Sequence, residues 1–284
     1  MDRPFSRAYC HFARCCSSSS CNWRASLSGS FTAGSVLLSA LEIIERVGVE
    51  PEVPIQSANN VPGRRKLIAY VAPMALFFAL LALEGVLEKL GTAFWLQSAE
   101  YWIYPLQAVV CAVLLIWFRR EYNFNGVRRP LIAVGVAIGV FVVWISPQLL
   151  FHAAPRLSGF NPDVFSSQPA AYWATVVFRF LRLVVVVPFV EEIFWRGFLL
   201  RYFIDEAFDR VAFGAFSWLS FLVVTIGFTL AHSSADWPAA FVTGALYNLV
   251  AYRTKSLGSC VLAHAITNLL LGVWIMRTGQ WGFW

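Results

Sequence analysis

The sequence predicts an all-α polytopic membrane protein, a bundle of seven to eight transmembrane helices, and three observations carry that prediction. Hydrophobic residues make up 58% of the 284-residue chain and charged residues only 13%, with a mean hydropathy of +0.63; an ordinary soluble domain has about a quarter of its residues charged. Apolar segments recur at roughly the 20-residue length that crosses a bilayer. Strand-like alternation between turn signals is absent, and an open sheet edge in lipid would leave its backbone groups unpaired.

Residues 1–60 differ from the rest. They are rich in Ser, with the run Ser17 to Ser20, and hold four of the six cysteines, Cys10, Cys15, Cys16 and Cys21. No Cys or His pair follows at zinc-ligand spacing, and His11 alone is a poor fourth partner. The composition predicts a disordered N-terminal extension in preference to a zinc knuckle or a lipidated tail. Phe31 to Ile44 is apolar but too short to span and contains Glu42, which predicts a peripheral helix.

The first three spans are expected at Leu67 to Leu87, Tyr101 to Phe118 and Leu131 to Leu150. A longer apolar stretch, Ala171 to Val190 running on toward Phe203, reads as one kinked helix or as two pieces broken near Pro188. Ala212 to Ala231, Trp237 to Tyr252 and Leu257 to Met276 complete the set. Cys111 and Cys260 fall inside spans and read as small buried hydrophobes. No internal repeat suggests an inverted-repeat transporter. Residues 61–160 thus read as scaffold helices, and residues 161–284 as the half that holds the polar groups.

The formal charge of +6 comes from Lys and Arg at helix ends: Arg64, Arg65 and Lys66, then Arg119, Arg120, Arg128 and Arg129, later Arg253 and Lys255. Clusters in short loops are a positive-inside signal, whereas a nucleic-acid site needs a solvent-exposed basic face, so no nucleic-acid partner is expected. They place the N-terminus and the loop between the second and third spans in the cytoplasm. The later loops are left unassigned.

Glu191 and Glu192 interrupt the apolar run LVVVVPFVEEIFWRGFLL, Leu183 to Leu200. A carboxylate in such a segment costs roughly 2 to 4 kcal/mol on insertion scales, so intramembrane acids mark sites. On a helix, Glu192 and Arg196 are four apart and share a face, which allows an ion pair; Glu191 points about 100° away and lacks that partner. One carboxylate is then structural and the other free for general-base work. An arginine-clamped packing motif would use the same residues. Two of the four histidines extend the pattern: His232 in FTLAH, four after Phe228, and His264 in HAITN, four before Asn268. A lone histidine on an apolar helix is usually a satisfied core residue; two, with an upstream carboxylate pair, point to a shared site.

EExxxR, FxxxH and HxxxN, in that order on successive C-terminal segments, resemble the CPBP family, the CAAX prenyl endopeptidases and their bacteriocin-processing relatives, also called Abi proteins. The resemblance covers about residues 170–276. One position departs: the family often has Phe before the Arg-Gly pair, and here it is Trp195, a conservative change. The resemblance implies a CAAX-protease-like helical bundle and an intramembrane endopeptidase that cuts a membrane-bound or lipidated peptide. Glu191 would then be the general base, His232 would orient the water and protonate the leaving amine, and His264 with Asn268 would donate to the oxyanion, supported by Glu192 and Arg196. No cofactor is expected. Zinc held by Glu191, His232 and His264 is the alternative, disfavoured because HExxH is absent and the set can activate water without metal. Membrane lipids are the surroundings, and the cell membrane, inner or plasma, is the expected location. A transporter lined by Glu84, Arg179, Arg182, Glu191 and Glu192, or a non-catalytic scaffold or immunity protein, are the competing classes.

Overall fold

The computed structural model describes residues 63–150 and 152–284. The extension with its four cysteines and the helix expected at Phe31 to Ile44 lie outside the described residues. Within them the chain is all-α and forms no strand. The helices are α1 (Arg64–Leu90), α2 (Glu100–Trp117), α3 (Pro130–Leu150), α4 (Pro169–Tyr202), α5 (Trp218–Leu230), α6 (Trp237–Thr254) and α7 (Leu257–Thr278). Five of them, α1 to α4 and α7, are long and apolar enough to cross a membrane. The chain is a polytopic membrane protein.

Large apolar side chains such as Val86, Val113, Val142, Val177 and Ile226 are exposed along the helices, where lipid replaces the hydrophobic neighbours of a soluble core. Exposed tryptophans sit near the helix ends: Trp117 and Trp218 at one end of the bundle, Trp95, Trp102, Trp173 and Trp237 at the other. Indoles favour the headgroup layer because one edge is apolar and the N–H needs a partner.

Prolines lie inside several helices, each removing one backbone donor and freeing the carbonyl four residues before it. Pro73 in α1 frees the Ala69 carbonyl, and the Tyr122 hydroxyl donates to it at 2.8 Å. Burial pushes the Tyr122 phenol well above its ordinary range, so it stays a donor. Pro147 in α3 frees the Val143 carbonyl, which accepts from Ser146 Oγ at 2.8 Å.

Of the two readings of this stretch, one kinked helix or two pieces broken near Pro188, the structure has the single helix. α4 runs unbroken for 34 residues, but two stretches, Leu181–Val186 and Ile193–Leu199, are wound as π-helix. At the end of the first, Val187 N–H reaches back five residues to the Arg182 carbonyl. In that register the Leu183 carbonyl would be served by residue 188, and proline has no N–H. Asn268 Nδ2 from α7 supplies the missing donor at 2.8 Å. The kink is absorbed as a change of helical register repaired by a neighbouring side chain.

The span expected at Ala212 to Ala231 is shorter: the helix starts at Trp218 and has 13 residues. Gly214 adopts φ +74°, and a Cβ there would run into the Ala251 carbonyl of α6, so the preceding residues form a turn packed against that helix. Lys255 Nζ donates to the Gly214 carbonyl and fixes this contact.

One end of the bundle gathers the loops rich in Lys and Arg. Arg65 pairs with Glu121 at 2.9 Å and Lys66 with Asp209 at 3.3 Å. Arg129 Nη1 donates to the Arg253 carbonyl at 2.8 Å, and Gly258 N–H to the Phe124 carbonyl at 2.9 Å. Beneath these loops Tyr70, Ile193, Phe198, Phe208 and Leu257 form a buried cluster. At the opposite end Ile145, Leu271, Ile275 and Trp281 form another, and Arg156 clamps Asp236 with Nη1 to Oδ1 at 2.6 Å.

Candidate active site

α4 brings Glu191 and Glu192 to the middle of the bundle on different sides of one helix. Glu192 is fully buried. Its Oε1 accepts from Arg196 Nη1 at 3.0 Å, the i,i+4 pair that the spacing predicts, and from His264 Nδ1 on α7 at 2.9 Å. Arg196, also fully buried, spreads its remaining donors over α6: Nε to Asn248 Oδ1 and Nη2 to the Gly244 carbonyl, each at 3.1 Å. The rings of Phe228 and Tyr247 flank its guanidinium at 5.0 and 5.3 Å. Asn248 is oriented in turn by Thr225 Oγ1 on α5, which accepts from its Nδ2 at 3.1 Å. A buried guanidinium is tolerable only when its fork is filled this way.

Glu191 faces a cavity of about 230 Å³, lined also by Arg182, His232, Tyr247, His264 and Asn268. Its Oε2 is buried and has no hydrogen-bond partner among the described residues. All four residues expected to carry chemistry therefore line one cavity, while Glu192 and Arg196 stand behind its wall.

The histidines are oriented by what their Nδ1 atoms touch. His232 sits just beyond the last turn of α5, not within the helix, and its Nδ1 lies 2.8 Å from the Phe228 carbonyl. A carbonyl can only accept, so Nδ1 carries the hydrogen and a neutral His232 presents a lone pair at Nε2. The spacing of FTLAH is thus the spacing of that contact. His264 stacks on Tyr247, ring centroids 5.1 Å apart, and an ionised Glu192 likewise takes the hydrogen of its Nδ1. His264 then donates from Nε2 only as the imidazolium. Asn268 has one amide hydrogen engaged with Leu183 and one remaining.

The sequence does not single out Asn248, Gly244 or Tyr247, which complete the arginine cage and the histidine stack. The available signal is a lone Asn in the apolar stretch ALYNLV, because an unpaired amide in a membrane helix needs a buried partner. Trp195 has its own complement: a Cβ on Gly227 would lie 3.1 Å from Trp195 Cζ3, so glycine makes room for the larger ring.

Residues 173–270 match the family model described as type II CAAX prenyl endopeptidase Rce1-like. Over that stretch the chain is similar to the CAAX-type proteases. The matched stretch contains all seven residues of the three motifs, on α4, on α5 and the turn after it, and on α7. That likeness is to a class of endopeptidases. No curated protein and no solved structure matches the chain.

Among the described residues no three His, Cys, Asp or Glu groups lie together as a metal-ligand set. Of the five residues that the transporter reading names, Arg182 and Glu191 line the cavity. Arg179 is buried behind it, between the rings of Tyr104 and Phe160 at 4.8 and 4.6 Å.

Proposed function

We propose that the protein hydrolyses a peptide bond in a membrane-associated substrate with a water activated by Glu191. The observation that carries this reading is the unpartnered Glu191 carboxylate oxygen, facing the same cavity as two histidines whose Nδ1 atoms are tied down. Glu191 accepts the proton of the water as it attacks the scissile carbonyl, forming the C–O bond. The oxyanion is met by the remaining N–H of Asn268 and by His264, which donates from Nε2 in its imidazolium form. The proton collected by Glu191 passes to the leaving amine directly or through His232 Nε2 as the C–N bond breaks. Arg196 fixes Glu192 in place and takes no part in proton transfer.

A peptide bond held extended by its own membrane anchor suits a cavity embedded among helices. Lipidated and prenylated segments are the substrate class that the family suggests, and the cell membrane is the proposed location. The test is cleavage of a fluorogenic membrane-anchored peptide by purified Glu191→Gln. A loss of about 10² to 10⁴ in rate with unchanged thermal unfolding is expected, the range for removing a general base. Retained full activity removes Glu191 from the mechanism.

A further inference from the structure

The ends of the bundle differ in charge, and the cavity lies toward one of them. The basic end collects Arg64 to Lys66, the loop Arg119 to Arg129, and Arg253 with Lys255, brought together by the contacts between these loops. At the other end Lys89, Arg156 and Arg277 stand against Glu88, Glu100, Asp163 and Asp236. Positive charge in short loops is retained on the cytoplasmic side during insertion. Because the loop after α4 touches the first turn of α1, and the last turn of α6 touches the loop after α2, the whole basic end shares one side.

The cavity is closed toward that side. Glu191, Tyr247 and His264 form its inner end; behind them lie the fully buried Arg196 cage and the aromatic cluster around Tyr70 and Phe208. Its outer end is formed by His232 and the exposed Ala231, at the far terminus of α5, and by the partly exposed Trp284 beyond α7. We infer that the active-site cavity opens on the non-cytoplasmic side of the membrane, so that its substrate is a peptide segment presented from that side. That the cavity receives a substrate rests on the catalytic reading of Glu191; the direction in which it opens does not.

The test uses the full chain with Cys111→Ala and Cys260→Ala and the four N-terminal cysteines replaced by serine, so that single cysteines report position. Ser234→Cys lies beside the cavity mouth and Val127→Cys at the basic end, both at exposed positions. A membrane-impermeant maleimide added to intact cells is expected to label Ser234→Cys and to leave Val127→Cys unlabelled until the membrane is permeabilised. The reverse pattern, or equal labelling of both before permeabilisation, overturns the inference. Fusions after Trp284 give an independent reading, since α7 ends at the mouth: alkaline phosphatase should be active and green fluorescent protein dark, and the opposite result overturns it. Neither readout needs a substrate, so a chain oriented as expected but unable to cleave would remove the catalytic reading and leave the sidedness standing.

Discussion

Glu192 is the residue on which the site turns, although it does not line the cavity. One of its oxygens accepts from both Arg196 and His264, linking a structural cation to a cavity histidine. Glu192→Gln should therefore lower thermal stability by roughly 3 to 5 kcal/mol, the cost of stranding a buried charge, whereas Glu191→Gln should leave the melting temperature unchanged. Differential scanning fluorimetry in detergent separates the two; equal melting temperatures for both variants would contradict the division of labour. Activity that survives exhaustive chelation, in preparations shown by elemental analysis to lack stoichiometric zinc, is the expected behaviour of a carboxylate-activated water. Zinc that is removable with loss of rate and restorable with its return would overturn that mechanism.

At the scale of the element, α4 shows why a local pattern can name residues and still miss a conformation. Pro188 marks a disturbance correctly, but a backbone can meet a missing donor by breaking or by changing register, and α7 decides between them through Asn268. Asn268→Ala should cost about 1 to 3 kcal/mol, the penalty for an unsatisfied buried carbonyl. Pro188→Ala restores an N–H to the position that would serve Leu183, so Asn268→Ala should cost less in that background; a double-mutant cycle with no coupling would refute the repair. The Glu192–Arg196 pair was legible because it depends on helical periodicity alone. Asn248 and the Gly244 carbonyl were not, because contacts 52 and 48 residues from Arg196 depend on how helices pack. The shortened α5 has the same cause: Gly214 turns against α6, and no local signal announces the helix it meets.

For the whole molecule, composition was enough to read an all-α membrane bundle, since a chain with few charges must satisfy its backbone within each segment. The described residues from Gly63 onward contain the cavity, the arginine cage and the basic loops. Deleting residues 1–61 should therefore leave insertion and cleavage intact, with Arg64 to Lys66 still setting orientation; a truncated protein that inverts or loses activity would show the extension to be required. The arginine cage also bears on the order of assembly. When α4 first enters the bilayer, Arg196 has only Glu192 for company, because its partners on α6 and the histidine on α7 that completes Glu192 lie 48 to 72 residues further along the chain. Until those helices are made, α4 holds Glu192 and Arg196 in lipid with part of their partners missing, a waiting state in which the newly made chain is most exposed to retention or degradation.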